Sequence, residues 1–180
     1  MAGRDEGLPA DSAASDPARA PEVIGTGFLL SSLGAHSAMS FAKRIEPMGL
    51  TPPHVGLLRA IAVGPGRSQQ SIADEFGMPP SRVVGFIDDL EATGLVERRR
   101  DDRDRRVHRL YLTPAGGKAM RRLAELGKES EETLLGSLDA ADRKRLRELL
   151  ERLVVDQQLT PGVHPGYRRM QPEKDVPTCD

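Results

Sequence analysis

The sequence predicts a mainly α-helical chain carrying one small β-hairpin, and three observations lead to that class. Apolar residues recur at helical spacing over most of residues 22–158, and each helical run after the first opens on a capping residue or a proline. The period switches to two in one place, after Gly94, in the runs LVERR and VHRLYL. Between those runs lies RRRDDRDRR, residues 98–106, which packs six arginines and three aspartates into nine positions of a chain with formal net charge −1.

Composition sets the outer limits. With 180 residues, 38% hydrophobic but only 3% aromatic and no Trp, the core must be built from Leu, Val, Ile, Ala and Met. An isoelectric point near 6.4 argues against an indiscriminate nucleic-acid binder and leaves a local basic patch open. The single cysteine, Cys179, excludes an intrachain disulfide, and no apolar run approaches the roughly 20 residues of a membrane span. A soluble cytoplasmic protein with no membrane partner is expected. Enzyme chemistry finds no support: there is no nucleophile elbow or phosphate loop, and His36, His54, His108 and His164 are too scattered for a metal site. No cofactor is expected.

The elements follow in order. Residues 1–21 are rich in Ala, Asp, Gly, Ser and Pro and cannot repay their ordering entropy, so a disordered tail is expected, and residues 159–180, with four prolines, read the same way. A first helix over 23–48 carries Leu30, Leu33, Phe41 and Ile45 and ends at Pro47-Met48-Gly49. Thr51 caps a second helix with Pro52 at its first position, running to about Val63, where GPGR breaks it. Ser68 caps a short third helix that stops at Gly77; Pro79-Pro80 opens a fourth, which Gly94 closes. Two strands and their arginine-rich turn come next. Thr113-Pro114 opens a long helix with Met120, Leu123, Leu126 and Leu134, and Asp139 opens the last, with Leu146, Leu149, Leu150, Leu153 and Val154 in one stripe.

Helix, short turn with Gly, helix, then hairpin describes a winged helix-turn-helix, and the arginine run becomes the tip of the wing. On the helix from Pro80, Val83, Phe86, Ile87 and Leu90 share the core side, while Ser81, Gly85 and Asp88 point away with Arg82 on the flank. Asp88 and Asp89 would repel phosphate, so only the first two turns suit a major groove, with Arg82 fitted to guanine, Ser81 to a base or phosphate, and Gly85 allowing close approach. The same pattern also fits an ordinary surface helix. Ser68, Gln69 and Gln70 suit a phosphate at a helix start, or a plain N-cap. Arg103 and Arg105 sit where a wing enters a minor groove, and Arg106 braces the turn. The stripe of the last helix, together with Leu30, Phe41 and Ile45 of the first, is more apolar surface than a small winged domain needs. This predicts a homodimer through the first and last helices, unless the two stripes pack within one chain.

The segment LEATGLVERRRDDRDRRVHRLYLTPAG resembles the wing signature of the MarR (multiple antibiotic resistance regulator) transcription factors. That signature reads Leu-Glu-x-x-Gly-Leu-Val-x-Arg, Asp-x-x-Asp-x-Arg and Leu-Thr-x-x-Gly. The resemblance extends upstream through GLTPPHVGLLRAI and SIADEFGMPPSRVVGFIDDLE, covering about residues 24–155. One departure is that Val84 and Gly85 stand where the family often has polar residues. The resemblance implies a DNA-binding lobe over 51–113 and dimerisation helices over 23–48 and 114–158. It also implies an obligate homodimer on a pseudo-palindromic double-stranded DNA operator, usually a repressor released by a small ligand. For that ligand it points to the region approached by His36, Met39, His54, Leu57 and Leu58, where the histidines suit an aromatic or other organic acid. Alternatively, His36 is an interface residue and His54 faces solvent near a helix start. The competing function is a winged-helix protein-interaction module without sequence-specific DNA binding.

Overall fold

The computed structural model of the chain describes residues 24–101, 107–160 and 162–164. Six helices and three strands run in the order α1 (Thr26–Ile45), a 3-10 turn (Glu46–Met48), α2 (Pro52–Val63), β1 (Arg67–Ser68), α3 (Gln69–Phe76), α4 (Pro80–Ala92), β2 (Val96–Arg100), β3 (His108–Leu112), α5 (Pro114–Leu135) and α6 (Ala140–Asp156). The expected tail over 1–21 and the tip arginines Arg103, Arg105 and Arg106 lie outside the described residues.

Local chemistry sets most of the boundaries. The hydroxyls of Ser68 and Thr113 accept the backbone N–H of Ser71 and Gly116, and the Asp139 carboxylate accepts that of Asp142, which opens α3, α5 and α6. Gly49 and Gly77 adopt left-handed backbone after the 3-10 turn and α3, with φ of 69° and 61°.

One strand was not expected. β1 pairs antiparallel with β3 through Arg67↔Leu110 and Ser68↔Arg109, making a sheet of order β1-β3-β2 rather than a simple hairpin. The predicted strands pair in the register Val96↔Leu112 to Arg100↔His108. Leu110 and Val96 turn inward and are fully or almost fully buried, as the alternation required.

The core gathers where α2, α3 and α4 meet the sheet and the first half of α5, with Leu57, Leu58, Ile61, Ile72, Phe76, Val83, Ile87 and Leu90 at its centre. Gly116 is buried against the end of the wing, where an added Cβ would collide with the Leu95 carbonyl. Ile45, expected at a dimer interface, is instead fully buried in this core, because the chain bends into the 3-10 turn directly beneath it. The packed chain also runs past the expected boundary at residue 158: Val163 belongs to the core cluster.

The far end is different in character. α6 has no buried residue among its 17, and its fastenings to α5 are polar, Arg143 to Glu132 and Arg147 to Glu131, each at 2.9 Å. Leu149, Leu150 and Leu153 are exposed on α6, as are Phe28, Leu29, Leu30 and Leu33 on α1, with Phe28 at 65% and Leu153 at 47%. Phe41, Leu146 and Val154 are half-buried and line an open groove of about 710 Å³ between α1, α5 and α6.

Candidate nucleic-acid interface

The turn between α3 and α4 is built from Gly77, whose backbone closes α3, and from the bond of Met78 N–H to the Ala73 carbonyl at 3.0 Å. Pro79 and Pro80 then start α4 without a side-chain cap, and the N–H groups of Arg82 and Val83 both donate to the Pro79 carbonyl, at 3.0 and 3.3 Å. Val83, Ile87 and Leu90 pin the helix to the core, so the opposite face is presented outward. Ser81 and Gly85 are exposed on it, and a Cβ added at Gly85 would meet nothing within 4 Å. Arg82 is half-buried on the flank. Val84, at 40% exposure, adds an apolar contact surface to this face.

At the start of α3 the three predicted residues behave differently. Ser68 uses its hydroxyl as the cap, and Gln70 Nε2 donates to Asp74 Oδ1 at 2.8 Å. Gln69 Nε2 is buried and has no hydrogen-bond partner among the described residues.

The acidic second half of α4 carries less unbalanced charge than its sequence implies. Arg98 on β2 binds Asp88 at 2.5 Å and also Glu91, while its backbone N–H donates to Glu91 at 3.2 Å. Asp89 faces His54 Nε2 at 3.4 Å. One guanidinium from the wing therefore offsets two carboxylates of the helix.

The wing arginines divide by task. Arg99 and Arg109 sit directly opposite each other in the ladder, a like-charge pair that would be unfavourable alone. Arg99 pairs with Glu97 and stacks over the Tyr111 ring at 4.4 Å, and Arg109 pairs with Asp101 and donates to the Gly66 carbonyl at 3.2 Å. Arg100 is exposed with no ion pair among the described residues, which adds a free cation below the tip that composition could not single out from its neighbours.

The predicted effector residues are not brought together. His36 is exposed beside a cavity of only about 60 Å³ between α1 and α5, and Met39 is 63% exposed on α1. Leu57 and Leu58 are core residues with no exposure, and His54 is buried to 7% exposure rather than facing solvent. His54 completes a capping box with Thr51, whose backbone N–H donates to Nδ1 at 3.1 Å, and its ring meets Phe86 edge-on at 5.1 Å. With Nδ1 accepting, the ring proton sits on Nε2 and points at Asp89. The spacing Thr-x-x-His was the available signal, a capping box with imidazole in place of the usual Glu or Gln.

A helix-turn-helix whose second helix shows a small, open leading face, followed by an arginine-rich antiparallel wing, defines a winged-helix regulator. Comparison with known proteins agrees. The model of the MarR family matches residues 48–107, from the end of the 3-10 turn to the residue before β3. A Thauera aromatica protein whose name assigns it to transcriptional regulation of the hcr operon is 30% identical over 160 residues, covering 88% of this chain and 96% of its own. The repressor CouR, solved bound to a 23-mer DNA duplex, superposes with a TM-score of 0.64 at 30% identity, over 72% of this chain and 92% of its own. Rv2887 of Mycobacterium tuberculosis, solved with salicylic acid, superposes with a TM-score of 0.59 at 26% identity, over 72% and 96% of the two chains. The chain belongs to the MarR family of transcriptional regulators.

Proposed function

We propose that this chain acts as a homodimeric repressor that holds a pseudo-palindromic operator and releases it when a small organic acid binds. The observation that carries the DNA reading is the charge arrangement on α4. Its leading face, with Ser81 and Gly85, is exposed and Arg82 stands half-buried on its flank, while the carboxylates behind it are drawn back by Arg98. Such a helix enters a major groove by its first two turns. The wing, with Arg100 exposed on β2 and Arg103, Arg105 and Arg106 in the sequence between β2 and β3, is the element read as following the backbone into the adjacent minor groove. The function is binding and release, with no catalytic step.

Dimerisation is supported by α6, which lacks any buried residue of its own, and by the exposed apolar side chains of α1. A two-fold pair sets two copies of α4 about one helical turn of DNA apart, ~34 Å, to match the half-sites. The effector reading rests on the salicylic acid complex of Rv2887 and on His36 and Met39, which remain accessible on α1. An acid that prefers the dimer with wrongly spaced recognition helices lowers operator affinity by linkage.

The test is a titration of the purified protein against labelled DNA from its own upstream region and against a shuffled duplex, at several salt concentrations. A repressor prefers the upstream DNA and loses affinity steeply with salt. Equal, weak binding to both duplexes would favour a winged-helix protein-interaction module instead.

A further inference from the structure

The chain does not stop packing where its last helix ends. α6 closes with Gln157 N–H bonded to the Leu153 carbonyl at 2.9 Å and Leu159 N–H to that of Val154 at 3.0 Å, around Gln158 in a left-handed conformation with φ of 51°. A left-handed residue other than glycine is costly unless the segment after it is held in place. That segment is anchored: Val163 is 9% exposed and belongs to the core cluster, and its N–H closes a turn on the Thr160 carbonyl at 3.2 Å.

The seat of Val163 lies on the DNA-binding lobe. A small cavity of about 130 Å³ is bounded by Gly56, Arg59 and Ala60 of α2, by Phe76 of α3, and by Gly162 and Val163 themselves. Gly162, with φ of 76°, rests its α-carbon beside the Arg59 guanidinium, where an added Cβ would come within 3.3 Å. Gly162 also lines the large groove between α1, α5 and α6. It is thus the residue at which the groove and the lobe meet.

We propose that residues 157–160 and 162–163 form a strap that couples the C-terminal end of α6 to the end of α2 in the DNA-binding lobe. α1, through Ile45 and the 3-10 turn, and α5 already connect the helical end of the molecule to the lobe; the strap adds a third connection. Val163 covers the α2–α3 seam as a core residue does, and the left-handed turn at Gln158 aims it there. A change in how α6 is held then reaches α2 through a few residues rather than only along the length of α5. This inference deepens the repressor reading, since the coupled ends are those proposed for dimerisation and DNA contact, but its test needs no DNA.

The experiment is hydrogen exchange on the full-length, DNA-free protein, comparing wild type with Val163→Asp and with Gly162→Val, which strains the turn and crowds Arg59. A seated strap protects the end of α2, so both variants raise exchange over residues 59–63 about tenfold or more, while the centre of α4 is unchanged. Val163→Ile, which keeps the apolar plug, restores wild-type protection. Unchanged exchange over residues 59–63 in both variants overturns the proposal. A uniform rise across α2 to α5 also overturns it, because that pattern reports general destabilisation rather than a local seat. Failure of operator binding with the expected exchange pattern would instead count against the repressor reading alone.

Discussion

Arg98 holds Glu91 twice, through its backbone N–H and through its guanidinium, and takes Asp88 with the other end of the same group. A wing residue is thereby locked to the outer face of the recognition helix. The arginine that heads the RRR run directs its charge onto two carboxylates of α4, which under the proposed function eases the approach of an acidic helix to a polyanion.

Removing that guanidinium leaves Asp88 and Glu91 uncompensated near DNA. Arg98→Ala is expected to weaken binding to the upstream duplex about 5- to 30-fold, corresponding to ~1–2 kcal/mol. Adding Asp88→Asn and Glu91→Gln should recover most of the loss, although neither change supplies a new contact. Fluorescence anisotropy on wild type and these variants checks this, and wild-type affinity in Arg98→Ala would rule out the compensating role.

His54 stabilises the lobe as a cap, so its removal should be felt in folding. His54→Ala loses the reciprocal bond to Thr51, the contact with Asp89 and the edge contact with Phe86, a cost of about 1–3 kcal/mol in urea unfolding. His54→Gln retains a capping side chain and should lose less. His36→Ala, on an exposed face, should leave the midpoint where it was.

For the dimer, Leu149→Glu combined with Leu153→Glu places charges on the exposed stripe of α6 without touching the core. The double variant should run as a monomer, or be insoluble, in light scattering. A soluble double variant that remains dimeric would place the interface elsewhere.

Helix and wing should read DNA in different ways. Arg100→Ala should weaken all sequences alike and reduce the salt slope by about one. Arg82→Ala should relax base preference at one position per half-site, by ~1–3 kcal/mol if its contact is bidentate. Competition titrations with single-base operator variants distinguish the two patterns, and identical behaviour of both mutants would refute the division of labour.

What could be read from the sequence was mostly what is decided within a few residues. Thr51, Ser68, Thr113 and Asp139 were all recognisable as caps because each bond spans three positions. The core face of α4 followed from helical period alone. β1 was invisible, since two residues carry no period and their partner strand is remote in the chain. For the same reason Arg98 could not be told from Arg99 or Arg100: its partners lie 7 and 10 residues back, across a helix end. Leu57, Leu58 and Ile45 were assigned to surfaces because an apolar side chain looks the same at an interface, in a pocket and in a core.

The order β1-β3-β2 has a consequence for how the protein is made. The central strand is the last of the three to be synthesised, and Gly66 waits for Arg109, 43 residues downstream, to receive its bond. Until β3 follows them out of the ribosome, the apolar sides of α2, α3 and α4 lack Leu110, which is fully buried in the finished lobe. A nascent chain stalled ahead of residue 108 is therefore a target for chaperones and proteases, and the lobe becomes safe from them only once β3 clears the exit tunnel.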